Sequence, residues 1–344
     1  MKRTLRTPAA LVGAELAPVS QYPALERVAA RYAVAITPTV VDLIDPADPA
    51  DPIARQFVPD EAELDERADE RDDPIGDDAH SPVAGIVHRY PDRVLLKLTH
   101  ICATYCRFCF RRETVGRAPA LSREALESAL RYIAQHREIW EVIFSGGDPL
   151  VLSDRRLRAV VARLAAIEHV RIIRLHTRLP VVDPARITPA LVRAVQAAGK
   201  ATYVVLHANH PRELSLATRA ACARFVDAGV PMLSQSVLLR GVNDDPETLG
   251  ELMRAFVECR IKPYYLHHAD LARGTAHLRT TIEDGQELMR HLRGRYSGLC
   301  QPTYVLDIPC GHGKSPIGPN YLRRDGKRYR ITDYTGRRHA YPPA

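Results

Sequence analysis

From Arg93 onward the chain alternates apolar runs of strand length with amphipathic runs of helix length, and no other feature restricts its fold as strongly. The runs "VLLKLT" (94–99), "EVIFS" (141–145), "RIIRLHT" (171–177), "TYVVLH" (202–207), "MLSQSVLL" (232–239) and "PYYLHH" (263–268) predict strands. Residues 122–136, 154–167, 188–199, 216–229, 245–259 and 282–296 predict helices. Such alternation implies an α/β chain with parallel strands joined by right-handed crossovers. Six such units make either an open doubly wound sheet or a partial barrel, and a full eight-unit barrel needs more repeats than are found. In both cases the reactive residues belong just past the C-terminal strand ends.

Three segments follow. Residues 1–80 are rich in Ala, Pro and acidic side chains and predict short helices and loops wrapping a main body. Residues 81–300 hold the alternating pattern, and 301–344 form a C-terminal segment with a glycine- and proline-rich loop and a hairpin, its last stretch "RYRITDYTGRRHAYPPA" (328–344) expected to lie over the site. The acidic run "DEAELDERADERDD" (60–73) predicts a solvated face. The net charge of +7 comes from arginine spread along the whole chain, with no basic stripe interleaved with aromatics, so no nucleic-acid partner is expected. No signal peptide and no apolar run of membrane-spanning length is found, which predicts no membrane partner and a cytoplasmic protein.

The predicted rim is rich in chemistry. Three of the seven cysteines stand in "CATYCRFC" (102–109), after the first strand. "SGGDP" (145–149) follows the second, His176, Thr177 and Arg178 end the third, and His207, Asn209 and His210 follow the fourth. Gln235 lies on the fifth, and His267, His268 and Asp270 close the sixth. Zinc usually takes four ligands in two separated pairs, and no second pair exists here, although a histidine such as His100 would complete a zinc set. A disulfide cannot use three cysteines and suits a different compartment. A 4Fe–4S cluster held by Cys102, Cys106 and Cys109 leaves one iron without a protein ligand, open to a substrate or cofactor.

The C-x3-C-x2-C spacing after the first strand, with Phe108 before the last cysteine, resembles the radical S-adenosylmethionine superfamily. The resemblance implies a partial (βα)6 TIM-like barrel, a 4Fe–4S cluster, and S-adenosyl-L-methionine chelated at the open iron. It also implies that the turn of Ser145, Gly146, Gly147 and Asp148 meets the methionine amino group.

"DIPCGHGKSPIGPN" (307–320) places Lys314 in a loop that is not a phosphate loop, because neither the spacing nor the strand-to-helix context fits. With "HRYPDRVLL" (88–96), "CFRRE" (109–113) and "PYYLHHAD" (263–270), this loop resembles the lysine 2,3-aminomutase family from about residue 37 to about Tyr321. The resemblance implies that Lys314 holds pyridoxal 5′-phosphate as a Schiff base, with Arg89, Tyr90 and Arg93 around it and Tyr264 near its ring. It implies Arg111 as the clamp on the substrate α-carboxylate. It puts His207, Asn209 and Gln235 near S-adenosylmethionine, and Asp270 and Asp307 at the distal ammonium of a basic amino acid. A buried ammonium needs such compensation, and two neighbouring carboxylates repel unless a cation sits between them.

The expected activity is therefore an isomerase converting L-lysine to β-lysine, with a flavodoxin- or ferredoxin-type reductant protein and a homo-oligomeric assembly. Three alternatives stand beside it: an aminomutase dedicated to β-lysylation of elongation factor P, an arginine 2,3-aminomutase, and a degenerate Fe–S binding module without turnover. Some relatives carry C-terminal cysteines that bind zinc between subunits; none follows Cys310 here, so that site is expected to be absent. His267 stands where a phenol is typical, which bears on substrate preference.

Overall fold

The computed structural model describes residues 3–342. Nine strands form one sheet whose spatial order is the order of the sequence: β1 (Ile86–Tyr90), β2 (Arg93–Thr99), β3 (Glu141–Gly146), β4 (Ile172–Thr177), β5 (Ala201–His207), β6 (Met232–Leu238), β7 (Ile261–His268), β8 (Thr303–Ile308) and β9 (Gly313–Pro316). Strands β2 to β8 are mutually parallel, while β1 and β9 run antiparallel on the two edges. The six expected strands match β2 to β7 within two residues at each end. The short "TYVLDI" run of β8 went unrecognised, and the sheet continues through it to residue 316. Lys314, expected in a loop beyond the barrel, lies on β9, directly opposite Asp307 of β8.

The edges almost meet. The backbone N–H of Lys314 on β9 donates to the Tyr90 hydroxyl on β1 at 2.7 Å. The sheet thus curls into a nearly closed barrel whose seam is bridged by a side chain rather than a ladder.

Four short helices precede the sheet: α1 (Pro8–Gly13), α2 (Tyr22–Arg31), α3 (Pro38–Val41) and α4 (Ala54–Phe57). The crossovers follow as α5 (Arg123–Gln135), α6 (Asp154–Ala165), α7 (Leu179–Val182), α8 (Pro189–Val195), α9 (Leu216–Asp227), α10 (Pro246–Glu258) and α11 (Ile282–Leu292). Six of them, α5, α6, α8, α9, α10 and α11, start at a Ser, Thr or Asp whose side chain accepts a first-turn N–H, so each crossover begins where its sequence fixes it. The inward stripe of α6 shows the packing: Leu157, Val160, Val161 and Leu164 recur at helical spacing and are fully buried or nearly so. No helix among the described residues is long and apolar enough to cross a membrane.

The N-terminal extension shares the barrel's core. Leu11, Ile36, Val40, Ile53 and Phe57 are buried in the same apolar cluster as the strand and crossover residues. The acidic run at 60–73 is not uniformly solvated as expected. Glu63 is fully buried and accepts hydrogen bonds from Arg107 and Arg112, and Glu70 is buried against Arg279 at 3.0 Å. Charge density misled here because the arginine partners lie far along the chain.

The C-terminal strands β10 (Leu322–Asp325), β11 (Arg328–Thr332) and β12 (Arg338–Tyr341) form a separate antiparallel sheet. It sits by the turn after α11, where Arg293 stacks over Tyr321 at 5.0 Å. The last stretch was expected to lie over the site, but no described residue beyond Lys314 lines the cavity; residues 343–344 fall outside the described residues.

Candidate active site

A cavity of about 710 Å³ fills the barrel, within the range of ligand sites. Of the residues to which the sequence resemblance assigned a ligand or catalytic role, all but Asn209 line it, while His100, His210 and His268 do not. Asn209 is buried beside it: its amide donates to Gln56 at 3.1 Å and its carbonyl oxygen accepts from Val237 N at 2.8 Å. His210 is likewise absorbed, its ring capping Arg212 N at 3.2 Å.

The loop after β2 brings the thiols of Cys102, Cys106 and Cys109 to one end of the cavity, all three unpaired. Cys102 and Cys109 pack against Ala35, Tyr105 and Val115, so the extension backs the loop. Burial raises all three thiols, Cys106 to about 11 despite the Arg178 guanidinium 3.7 Å from its sulfur. Thiols so shielded ionise when a metal supplies the compensating charge. No group of three His, Cys, Asp or Glu side chains among the described residues converges on a single ion. A four-iron cluster instead takes one thiolate on each of three irons.

The turn after β3 lies against the end of β2. Gly147 N donates to Thr99 O at 2.6 Å, and a Cβ would lie 2.5 Å from Thr99 O at Gly146 and 2.3 Å from Ile101 O at Gly147. Only glycine lets the two backbones approach this closely. The Asp148 carboxylate accepts from the Thr177 hydroxyl at 2.8 Å and from the backbone N–H groups of Leu150, Arg178 and Leu179. It ties the ends of β3 and β4 together, and Ser145, Gly146 and Gly147 line the cavity.

A cationic pole forms where β1 meets the cysteine loop. Arg111 donates from Nη1 to Ser145 Oγ at 3.1 Å, and from Nε and Nη2 to Asp77 Oδ2 at 2.9 and 2.8 Å. Arg89 donates from Nη2 to Ile75 O at 2.7 Å and to Asp77 Oδ1 at 3.2 Å, while its Nε is buried without a partner. Burial alone would raise the Asp77 carboxyl; the Arg111 charge and hydrogen bonds outweigh it and hold it below the usual range. Arg93 stacks over the Tyr90 ring at 3.9 Å, and Tyr264 donates to the Tyr265 hydroxyl at 3.0 Å.

An anionic pole forms on β7 to β9 and adjoins the first, with Arg89 Nη1 3.9 Å from Asp307 Oδ1. Lys314 Nζ donates to both oxygens of Asp307 at 2.7 Å, a cross-strand pair set by the register of β8 and β9. His267 Nδ1 lies 3.4 Å from Asp307 Oδ2. Burial would raise Asp307, but the His267 hydrogen bond and the Lys314 charge hold it well below the ordinary carboxylate range. Asp270 Oδ1 is buried without a hydrogen-bond partner. Burial first and the Asp307 charge second push its carboxyl up to about 7.

Two histidines complete the lining. His176 and His207 face each other at 5.7 Å, and each buries an Nε2 without a partner. Burial lowers both, His207 to about 3, so both rings are neutral near pH 7.

The structure adds residues that sequence reading did not single out. Glu213 and Gln56 hold Arg178 beside Cys106. Asp77 joins the two arginines, and Arg174 lines the cavity against Glu141. Glu213 had a local mark, the capping box it forms with His210. Asp77 had none, being one acidic residue among many.

Residues 96–253 match the Radical SAM superfamily, and residues 289–342 match a family described as lysine-2,3-aminomutase. The chain is 44% identical over 289 residues to the L-lysine 2,3-aminomutase of Clostridium subterminale, covering 84% of this chain and 69% of that protein. It is 43% identical to the L-lysine 2,3-aminomutase of Acetoanaerobium sticklandii, covering 84% of this chain and 70% of that protein. It is also 37% identical to the glutamate 2,3-aminomutase of Clostridioides difficile, covering 89% of this chain and 72% of that protein.

Proposed function

The chain belongs to the lysine 2,3-aminomutase family of the radical S-adenosylmethionine superfamily, and from that premise we propose that it is an isomerase moving the α-amino group of L-lysine to C3. The observation that carries the choice of lysine is the pair of half-buried Asp270 and buried Asp307 lining the same cavity as Arg111. Two carboxylates in mutual repulsion favour a ligand that brings a cation, and they repel the distal carboxylate of glutamate.

The residues fit the groups this chemistry needs. Three thiols from one loop suit a 4Fe–4S cluster, with the Ser145–Gly147 backbone beside them for S-adenosylmethionine. The Lys314 amine opens on the same cavity as Arg89, Tyr90 and Arg93, which suits pyridoxal 5′-phosphate, and the unpartnered Arg89 Nε is a donor in reserve there. When bound, these groups supply a radical able to take a hydrogen atom from carbon and a carbonyl able to hold an amino nitrogen. A flavodoxin- or ferredoxin-type protein is the expected electron donor.

The chain's own residues bind and orient. A guanidinium has five N–H groups, and Arg111 spends three on Asp77 and Ser145. Two remain for the substrate carboxylate. Asp270 and Asp307 take the distal ammonium, so the substrate is held at both ends and its C2–C3 bond is fixed close to the Arg111 end. Lys314, paired with Asp307 in the unloaded protein, would leave that carboxylate to hold pyridoxal 5′-phosphate, which frees Asp307 for the substrate ammonium. Neutral His176 and His207 line the wall without adding charge. The apolar strand walls exclude water and competing hydrogen donors.

Anaerobic reconstitution with iron, sulfide, pyridoxal 5′-phosphate, S-adenosylmethionine and a reductant, followed by product analysis with L-lysine, tests the proposal. The expected product is 3,6-diaminohexanoate. An enzyme with every group bound that leaves lysine unchanged contradicts it.

A further inference from the structure

We propose that Asp77, delivered by the N-terminal extension, is a positioning residue that aims Arg111 at the substrate carboxylate; this rests on the reading of Arg111 given above. Asp77 is 5% exposed and bridges two guanidinium groups, one oxygen taking Nε and Nη2 of Arg111 and the other taking Nη2 of Arg89. It does not line the cavity, whereas both arginines do. Asp77 therefore holds them from behind and does not compete with a ligand for their exposed face. The edge of Arg111 it occupies leaves one N–H free on each terminal nitrogen, the pair that grips a carboxylate.

Its own backbone is pinned. Asp77 N donates to Asp73 Oδ1 at 2.9 Å, and Asp77 O accepts from the Ser81 hydroxyl at 2.8 Å. The preceding Gly76, at φ +70°, lies so close to the β8–β9 connection that a Cβ would fall 2.4 Å from Gly311 N. His80 Nε2 lies 3.0 Å from Gly311 O. One short segment of the extension thus fixes Arg89 on β1, Arg111 in the cysteine loop and the connection leading to Lys314. Without the carboxylate, two buried guanidinium groups would repel each other and swing apart.

The test measures binding of L-lysine and of 1,5-diaminopentane, which lacks the carboxylate, to the pyridoxal-loaded enzyme by absorbance. Asp77→Asn is expected to weaken L-lysine by about tenfold while leaving the diamine within about twofold, because only a carboxylate reads the aim of Arg111. Asp77→Glu keeps the charge one methylene further out, and is expected to weaken L-lysine less and again to spare the diamine. Should Asp77→Asn fail to fold, Asp77→Glu carries the same comparison. A variant that weakens both ligands equally, or neither, overturns the proposal. Arg111→Gln separates the two levels of inference. If it discriminates between the ligands and the Asp77 variants do not, only the role of Asp77 falls. If it does not discriminate, the carboxylate role of Arg111 falls and takes this proposal with it.

Discussion

The two poles of the cavity solve opposite problems in opposite ways. At the cationic pole, Arg111 and Arg89 are neutralised in part by Asp77, which stands behind them and leaves their inner donors open. At the anionic pole, Asp307 is neutralised from the front, by Lys314, whose Nζ donates to both its oxygens. The first pole is ready for its ligand as it stands. The second is closed in the structure by the Lys314–Asp307 ion pair. Asp270 sharpens the contrast: it has no internal cation of its own hydrogen-bonded to it, and its carboxyl is pushed up to about 7. Under the proposed function the Lys314 amine leaves Asp307 to hold pyridoxal 5′-phosphate, and the substrate ammonium takes the carboxylate so freed.

Four substitutions bear on this contrast. Lys314→Ala is expected to remove the absorbance of bound pyridoxal 5′-phosphate and to cut turnover by about a thousandfold or more while iron content stays unchanged. Retained absorbance would break the anionic half of the account. Glu63→Gln removes the carboxylate between Arg107 and Arg112, which flank the cysteines. Breaking such a buried pair costs about 3–5 kcal/mol, so a large drop in the denaturation midpoint and loss of iron binding are expected, and an unchanged midpoint would contradict the linkage. Asp307→Asn is expected to lower kcat/KM for lysine by about a hundredfold through loss of a charge-assisted partner. A comparable loss with an apolar amino acid of the same length would show that the effect is not at the ammonium.

The smallest effect concerns pH. Asp270 is neutral below its raised pKa and ionised above it, so lysine affinity is expected to rise by about tenfold between pH 6 and pH 8. Asp270→Asn is expected to flatten that rise. Titration of Kd against pH in both proteins checks the sign, and a wild-type affinity that falls with pH would reverse the assignment.

Much of this was legible in the sequence, and the unread parts have physical reasons. Strands β2 to β7 showed themselves because parallel strands buried on both faces read as short apolar runs between helical stretches. The edge strands did not: β1 and β9 are short, carry polar residues such as His88, Arg89 and Lys314, and lack the helix that frames the others. The cysteines, Arg111, Asp270, Asp307 and Lys314 were each found by motif, and the structure brings them to one cavity. Asp77 and Glu63 were hidden in acidic stretches, since composition says nothing of which carboxylate meets a distant arginine. Asn209, a polar residue at a strand end, spends its side chain on Gln56 and Val237 beside the cavity.

The central claim is that the poles select an amino acid bearing a distal cation. Initial rates of the reconstituted enzyme with L-lysine, L-arginine and L-glutamate, side by side under anaerobic conditions, test it most directly. A 3-amino product is expected from L-lysine and none from L-glutamate, with the lysine rate lost in the Asp270→Asn, Asp307→Asn double variant. Turnover of L-glutamate at a rate equal to or above that of L-lysine would contradict it.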